Sequence, residues 1–178
     1  MSELRTNRIV PRDGLVSTTT SAGGIIQVKH TIFTGIASRT TSSYDFDALV
    51  TSDAITPTRS DSKVLVDFHV MCSSSSTMNR LGAVITKNGS PVGVADDTGD
   101  NKTENTVCIV ANDVNEPYTL SGKFLDSPAT TSAVTYGIKI RTGTSSTITI
   151  QFNRQGTESN NIYIMRGTSS LTLMEISG

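Results

Sequence analysis

Apolar and polar residues alternate with a period of two along most of the chain after Gly24. The clearest run begins with Val64, Val66 and Phe68 and continues to Cys72, and its opposite face is half apolar. Alternation of this kind places every second side chain on the same face of a β-strand. Because both faces of the 63–72 segment carry apolar residues, we expect this strand to be covered on both sides.

Similar alternation recurs at intervals of roughly 8–12 residues and predicts about ten strands. Asn88-Gly89 is the strongest hairpin signal, because a two-residue turn of this type needs positive φ at both positions. Asp126-Ser127-Pro128 predicts the end of one strand, and residues 133–142 predict the next. The apolar positions of the other predicted strands are Ile26, Val28, His30 and Ile32; Tyr44, Phe46, Ala48 and Val50; Leu81, Ala83 and Ile85; Val92 and Val94; Val107, Ile109 and Ala111; Leu120 and Phe124; Ile148, Ile150 and Phe152; Ile162 and Ile164; Leu171 and Leu173.

No segment shows a sustained helical repeat with caps. The chain therefore predicts an all-β fold, an antiparallel β-sandwich or barrel. Its 178 residues suit one such domain. Residues 1–23 differ, because a polar stretch with one apolar patch is followed by a Ser-, Thr- and Gly-rich tether. We predict an extended N-terminal arm over residues 1–23 and a β-sandwich domain over residues 24–178.

Charge and hydropathy exclude two kinds of partner. The net charge is −1 and the pI about 6.1, so the chain has no basic field to hold phosphates, and we expect no nucleic acid. No run of 18 apolar residues is present, so we expect no membrane insertion. The N-terminus has no apolar signal-peptide core, which predicts synthesis in a reducing compartment. Cys72 and Cys108 are then expected to be buried free thiols, with a disulfide left open.

The residue types that carry catalysis are few. His30 and His69 are the only histidines, and each lies within an alternating strand without a sequence partner for nucleophilic or zinc chemistry. Paired acids for glycoside hydrolysis are also missing, since Asp45 and Asp47 are predicted to point outward from one strand. We therefore expect no enzymatic activity, no metal and no cofactor.

The loops offer the best candidates for target contact. Those around 73–79, 96–104 and 153–161 are polar and irregular, and a rigid sandwich can vary such loops freely. The 96–100 loop is predicted to be solvated, and a bound cation there stays open because the spacing fails the EF-hand template. The candidate recognition residues are Ser75, Asn79, Asp97, Asp100, Asn101, Arg154 and Asn160.

Six segments resemble virion structural proteins of tailed phages, especially marine and cyanobacterial ones, a family of tail-fibre and head-fibre or decoration proteins. Together they span the whole chain in order. The 72–118 region departs from that pattern, which leaves the recognition target open. The segments are ELRTNRIVPRDG at 3–14, GGIIQVKH at 23–30, ITPTRSDSKVLVDF at 55–68, FLDSPATTSAVTYGIKIR at 124–141, FNRQG at 152–156 and SSLTLMEI at 169–176.

The resemblance implies a non-enzymatic, jelly-roll-like, trimeric module on the exterior of a phage particle, mounted through its N-terminal arm on other virion proteins. As a tail fibre it would contact a host glycan or protein; as a head fibre it would decorate the capsid. The alternative is a carbohydrate-binding or glycan-depolymerising jelly roll, although the absence of Trp disfavours a sugar-stacking platform. The arm residues suited to anchoring by apolar contact, chain stiffening or ion pairing are Arg5, Arg8, Ile9, Val10, Pro11 and Leu15.

Overall fold

The computed structural model describes residues 24–41, 47–96, 104–143 and 146–178. These ranges contain eleven β-strands and no helix. The strands are β1 Ile25–Phe33, β2 Ala37–Thr41, β3 Asp47–Ile55, β4 Lys63–Ser74, β5 Asn79–Lys87, β6 Ser90–Val92, β7 Val107–Ala111, β8 Tyr118–Asp126, β9 Val134–Thr142, β10 Ile148–Phe152 and β11 Ser169–Ile176.

All pairings are antiparallel and form two sheets. In the first sheet, β4 pairs with β8 along one edge and with both β10 and β11 along the other. The strand β2 then pairs with β10, and β1 with β11. In the second sheet, β9 lies between β3 and β5, and β5 pairs on its other edge with β6 and β7.

This connectivity is a jelly roll. The pairs β1/β2 and β10/β11 each act as one interrupted strand, and β6 is the short return arm of a hairpin. Counting the remaining eight strands in chain order gives 1-8-3-6 in the first sheet and 2-7-4-5 in the second. The all-β, antiparallel, jelly-roll-like sandwich expected from the sequence is therefore confirmed.

The core is formed by the inward-facing residues of both sheets, as the alternation predicts. The inner face of β4, from Val64 to Cys72, is buried, as are Leu171 and Leu173 of β11. Tyr136, Ile138 and Ile140 oppose them from the second sheet. Side chains from two inner faces thus fill one apolar layer, and burying each large side chain stabilises the fold by roughly 1.5–3 kcal/mol.

Turn chemistry also follows the sequence. Asn88 and Gly89 have φ of 49° and 87° and join β5 to β6, with Lys87 opposite Ser90. This confirms the predicted two-residue hairpin. The strand β8 ends at Asp126, just before Pro128, and β9 begins at Val134, as the Pro-containing segment predicts.

Two expectations are corrected, and the environment of one predicted face is established. Ile162 and Ile164 are not in a strand; they lie in an irregular segment between β10 and β11. Cys108 is exposed rather than buried, because it occupies the outer face of β7; Cys72 is buried as expected, and both thiols are free. The shared face of Ile26, Val28 and Ile32 is exposed on the outside of the first sheet.

The chain directions give the sandwich two distinct ends. At the proximal end, the Ser177 backbone N–H donates to the Gly24 carbonyl (2.8 Å), so residues 1–23 join the domain beside its last residue. The connections 56–62, 88–89 and 127–133 lie at the same end because β3, β5 and β8 run toward it. The opposite, distal end carries the connections 75–78 and 112–117.

A polar cluster joins the two sheets near the proximal end. The Tyr136 hydroxyl of β9 donates to Asp126 Oδ2 of β8 at 2.5 Å, and Lys87 Nζ lies 2.8 Å from the same oxygen. Tyr136 is fully buried, and its burial together with the Asp126 bond raises the pKa of its hydroxyl far above the ordinary value. The Tyr136 phenol therefore stays protonated and acts as a permanent donor between the sheets.

A single buried asparagine organises the breaks in both interrupted strands. Asn153 has a φ of 59° and follows directly after β10. Its Nδ2 donates to the carbonyls of Phe33 (2.8 Å) and Gly35 (2.7 Å), where β1 gives way to β2. Its Oδ1 accepts from the Ser169 hydroxyl (2.6 Å) at the start of β11. Asn153 thus fixes the point at which the chain leaves the sheet as an excursion over residues 153–168.

Candidate functional site

Several predicted site residues lie outside the described residues. This holds for the six proposed anchor residues of the arm, which all fall within residues 1–23, and for Asp97, Asp100 and Asn101 of the acidic loop. Asp96, at the start of that loop, is described and is exposed. The structural account of the candidate site therefore rests on the distal loops, the excursion and the outer faces of the sheets.

The 73–79 loop contributes one exposed and one buried candidate. Ser75 is exposed at the distal end, where its backbone N–H donates to the Thr149 carbonyl at 2.8 Å. Asn79 is buried as the first residue of β5, and its Nδ2 donates to Ser74 Oγ (2.7 Å) and the Ser76 carbonyl (3.0 Å). Because its amide group donates both hydrogen bonds within the loop, the Asn79 side chain stabilises the conformation of this turn.

The 153–168 excursion is tied to the distal end by hydrogen bonds. The Gly156 N–H donates to the Val114 carbonyl (3.0 Å), and Gln155 Nε2 donates to the Asn115 carbonyl (2.5 Å). The Gln155 carbonyl oxygen Oε1 in turn accepts from the Met165 N–H (2.7 Å). These bonds run between the excursion and the connection from β7 to β8, so both segments hold a defined conformation together.

Charged residues close the base of the excursion. Arg154 and Arg166 form an isolated β-bridge, and both guanidinium groups pair with Glu158; the Arg154 Nη1–Glu158 Oε2 distance is 3.7 Å. The hydrogen bond from Arg166 lowers the pKa of the Glu158 carboxyl below its ordinary value. Arg154, a candidate recognition residue, is therefore occupied in closing the excursion, whereas Asn160 is exposed near its tip.

The tip of the excursion presents apolar side chains to solvent. Ile162, Tyr163 and Met165 are 88%, 78% and 66% exposed. Large apolar groups held out from an ordered loop mark a contact surface rather than a packing element. Sequence reasoning missed this tip because Ile162 and Ile164, two residues apart, imitate a strand, although the surrounding Asn, Gly and Ser residues are a turn signal.

The outer face of the first sheet carries a second exposed apolar surface. Strand register places Val28 opposite Met174, Met174 opposite Leu65, and Leu65 opposite Leu125. Residues directly opposite one another share a face. These four side chains therefore form an apolar band that crosses β1, β11, β4 and β8. Val28 and Leu125 are 54% and 47% exposed, and Ile26 extends the band at its β1 end.

Polar residues border the band on its distal side. His30 Nδ1 lies 2.9 Å from Thr172 Oγ1, and Lys123 Nζ lies 3.0 Å from Asp67 Oδ2. The solvated face of an antiparallel sheet commonly carries polar residues, so the band is a contiguous apolar patch of the kind that contact surfaces carry.

His69 has a hydroxyl partner that the sequence did not reveal. Its Nδ1 lies 3.1 Å from Ser170 Oγ, and its Nε2 lies 3.0 Å from the Thr168 carbonyl. A carbonyl only accepts, so Nε2 carries the proton and Nδ1 accepts from Ser170. The two residues are cross-strand partners, and Ser170 is buried on a regular strand. The contact is therefore one that strand pairing imposes.

Among the described residues, no group of three or more His, Cys, Asp or Glu side chains is arranged to hold a metal ion. Within the same ranges, no helix is long and apolar enough to cross a membrane.

Comparisons with known proteins give structural similarity only. No protein-family model matches the chain, and no curated protein matches it. The chain is similar to a chain in the structure of infectious bursal disease virus Gx strain, with a TM-score of 0.42, 12% identity, and coverage of 94% of this chain and 45% of that one. For the Gt strain the TM-score is 0.44 and the identity 12%, over 94% and 44% of the two chains. The chain thus spans less than half the length of these viral chains.

Proposed function

We propose that this chain is a non-enzymatic virion structural protein of a tailed phage. It is mounted by residues 1–23 and projects as a surface-exposed fibre-type or decoration module. The observation that carries the proposal is that the two ends of the sandwich differ. The N-terminal segment joins at the proximal end, whereas the exposed apolar tip belongs to an excursion bonded to the distal end. A module held at one end and offering contact residues at the other fits this role.

The sequence resemblance supports the same role, because its segments span the chain in order and include both the arm and the strands β4, β9 and β11. In this proposal the arm residues Arg5, Arg8 and Ile9 bind neighbouring virion proteins, together with Val10, Pro11 and Leu15. The distal loops and the excursion tip face outward on the particle. They contact a host glycan or protein if the module is a tail fibre, and remain unbound if it decorates the capsid.

The proposed lack of catalysis rests on the geometry of the two imidazole–hydroxyl pairs among the described residues, His69–Ser170 and His30–Thr172, which are both cross-strand partners on regular strands. A nucleophilic serine needs an exposed hydroxyl beside its base, with donors ready for a developing oxyanion. The Ser170 hydroxyl is instead buried between paired strands, where it donates to His69. This geometry disfavours hydrolysis by a serine nucleophile, and the lack of a predicted acid pair in the sequence disfavours glycan depolymerisation.

Deleting residues 2–15 tests the mounting role. We expect the truncated chain to stay folded and oligomeric but to be absent from purified particles, as measured by quantitative mass spectrometry of separated heads and tails. A matched control replaces Ile162 and Tyr163 with serine at the excursion tip, and this variant should incorporate normally. Normal incorporation of the truncated chain would refute mounting through the arm.

We further propose that the module is a homotrimer whose copies meet through the apolar band. The band crosses a regular sheet and includes the exposed residues Val28 and Leu125. With a net charge of −1, neighbouring copies would repel one another little. The apolar residues on both faces of β4, inferred from the sequence, are then explained by a core on one face and a second copy on the other.

Leu125→Lys tests self-association. A lysine at this position would place an unpaired charge in the contact, so we expect association to weaken at least about 100-fold. Light scattering should show the mass falling from three times 18.9 kDa toward that of a single chain. Ser121→Lys adds the same charge on the same strand and face, but outside the band, and should leave the mass unchanged. A wild-type monomer at micromolar concentration would contradict the proposal.

A further inference from the structure

A pocket of about 450 Å³ opens on the outer face of the second sheet, toward the distal end. It is formed by β5, β7 and β9 and by the segment before β7. The side chains used in the argument below are Arg80, Asn105, Cys108, Val110 and Arg141, and Gly82 lies at the centre. None of these residues belongs to the apolar band or to the excursion, so this pocket is a separate surface feature.

The absence of a side chain at Gly82 makes room for the Asn105 amide at the centre of the pocket. Strand register places Gly82 between Arg141 of β9 and Cys108 of β7. A Cβ atom at this position would collide with the amide group of Asn105, which folds into the space. The Asn105 amide therefore lies over Gly82 as part of the pocket lining, with residues of three strands around it.

Counting only the described residues, the pocket has one more cationic side chain than it has anionic partners. Arg141 Nη1 lies 3.9 Å from Glu104 Oε2 and donates to the Glu104 carbonyl at 3.3 Å. Arg80 has no ion-pair partner among the described residues. Arg80 and Arg141 both line the pocket, and the exposed side chain of Val110 supplies an apolar wall. A ligand with a negative group and a carbon skeleton would complement both features.

We propose that this pocket binds an organic carboxylate of about monosaccharide size. The planar guanidinium fork of arginine matches a carboxylate with two parallel hydrogen bonds. The pocket volume falls within the roughly 300–1,000 Å³ typical of small-ligand sites and far exceeds the space that a single inorganic anion fills. Such a carboxylate could belong to a sugar acid or to a protein side chain. The proposal does not depend on the virion role.

Titration calorimetry on the intact protein tests this proposal and separates the two sources. The probes are galacturonate for a sugar acid and N-acetylglutamate for a protein carboxylate, with galactose and inorganic sulfate as comparisons. Preferential binding of galacturonate supports a sugar source, and preferential binding of N-acetylglutamate supports a protein source. Binding of neither carboxylate overturns the proposal, as does equal binding of galactose or of sulfate.

Charge variants should shift the affinity in opposite directions. Arg80→Gln removes the unpaired guanidinium and should weaken binding of the preferred carboxylate at least about 10-fold, the loss expected for one charge-assisted contact. Glu104→Gln removes a competing carboxylate beside Arg141 and should strengthen binding. Arg59→Gln, an exposed change at the proximal end, should leave the affinity unchanged. The same direction for Arg80→Gln and Glu104→Gln would count against the site.

Cys108 provides a readout within the pocket itself. Its thiol is exposed, whereas Cys72 is buried and burial raises the pKa of the Cys72 thiol to about 12. Because the thiolate is the reactive form, a thiol reagent should label Cys108 in the native protein and spare Cys72. Saturating carboxylate should slow this labelling several-fold in the wild type but not in Arg80→Gln. Unchanged labelling of the saturated wild type would refute occupation of the pocket.

Discussion

Replacing Asn153 with alanine is expected to lower the free energy of unfolding by about 3–5 kcal/mol. The side chain is fully buried, and its amide donates to the carbonyls of Phe33 and Gly35 while its oxygen accepts from Ser169. Alanine would leave these three groups without their partner inside the protein. It would also occupy a φ of 59°, where asparagine is tolerated better than alanine. Thermal denaturation should show a midpoint lower by about 10 °C.

Two further variants separate the side-chain and backbone contributions. Asn153→Gly also removes the three hydrogen bonds, but glycine adopts positive φ freely, so it should be roughly 1 kcal/mol less destabilising than alanine. Ser169→Ala removes only the bond to the asparagine oxygen and should cost about 1 kcal/mol. An Asn153→Ala protein within 1 kcal/mol of the wild type would show that the buried amide does not hold the strand breaks.

Asn153→Ala should also loosen the excursion before the whole domain unfolds. Asn153 is the first residue of the 153–168 segment; its backbone carbonyl accepts from the Gly167 N–H (3.1 Å) and its side chain accepts from the Ser169 hydroxyl, so it joins the two ends of the segment. Limited proteolysis of Asn153→Ala should therefore cut within residues 155–167 faster than in the wild type. In the proposed function, this loss of order would reduce target contact through Tyr163 while leaving mounting intact.

The sequence predicts the strands whose two faces differ clearly. Val64, Val66 and Phe68 alternate with less apolar residues, and the structure buries that face completely. The hairpin at Asn88-Gly89 is equally predictable, because few residue pairs adopt positive φ at two successive positions. In these segments local chemistry and tertiary packing favour the same conformation, and the expectation is confirmed.

The strand β1 shows that sequence alternation can identify which residues share a face without identifying what that face contacts. Ile26, Val28 and Ile32 do share a face, but Phe33 is the residue that packs against the core, and Gln27 and Thr31 make polar contacts on its side. Alternation identifies which residues lie together, not which sheet or solvent they meet. The exposed apolar band joins residues from four strands, so no single segment of sequence contains it.

The pocket and the excursion depend on contacts between distant segments. Arg80 and Arg141 are neighbours in the pocket only because β5 pairs with β9, a pairing that residue spacing does not reveal. Within the excursion, residues 153–161 are predicted as a loop, but a strand is predicted at Ile162 and Ile164 because a short apolar repeat outweighs the turn-rich sequence around it. Asn153 was the available signal, because asparagine is enriched among residues with positive φ.

Acid should destabilise the fold through Glu175, a buried carboxylate near the proximal end. Its Oε1 accepts from the backbone N–H (2.7 Å) and the hydroxyl (2.8 Å) of Thr58, and its Oε2 accepts from Gln27 Nε2 (2.6 Å). No lysine or arginine among the described residues pairs with it. Burial raises the pKa of the carboxyl, but the hydrogen bonds outweigh burial and hold the pKa at about 2.

The direction of the pH effect follows from this depressed pKa. In the unfolded chain the carboxyl has its ordinary pKa of 4.5, so the folded state binds the proton less tightly. The stabilisation from ionised Glu175 is therefore complete above about pH 4.5 and is lost as the pH falls toward about 2. Acid unfolding should begin by releasing Thr58, which links the β3–β4 connection to β11.

Glu175→Gln isolates this contribution. Glutamine keeps the shape but loses the charge, and we expect it to lower the free energy of unfolding at pH 7 by about 1.5–3 kcal/mol, the range for hydrogen bonds to a charged group. The difference from the wild type, measured by urea denaturation, should shrink as the pH falls from about 4.5 toward 2, because the wild-type carboxyl is then neutral as well. Asp96→Asn, an exposed change, should alter stability little at any pH. A constant difference between wild type and Glu175→Gln across this range would show that the charge of Glu175 does not stabilise the fold.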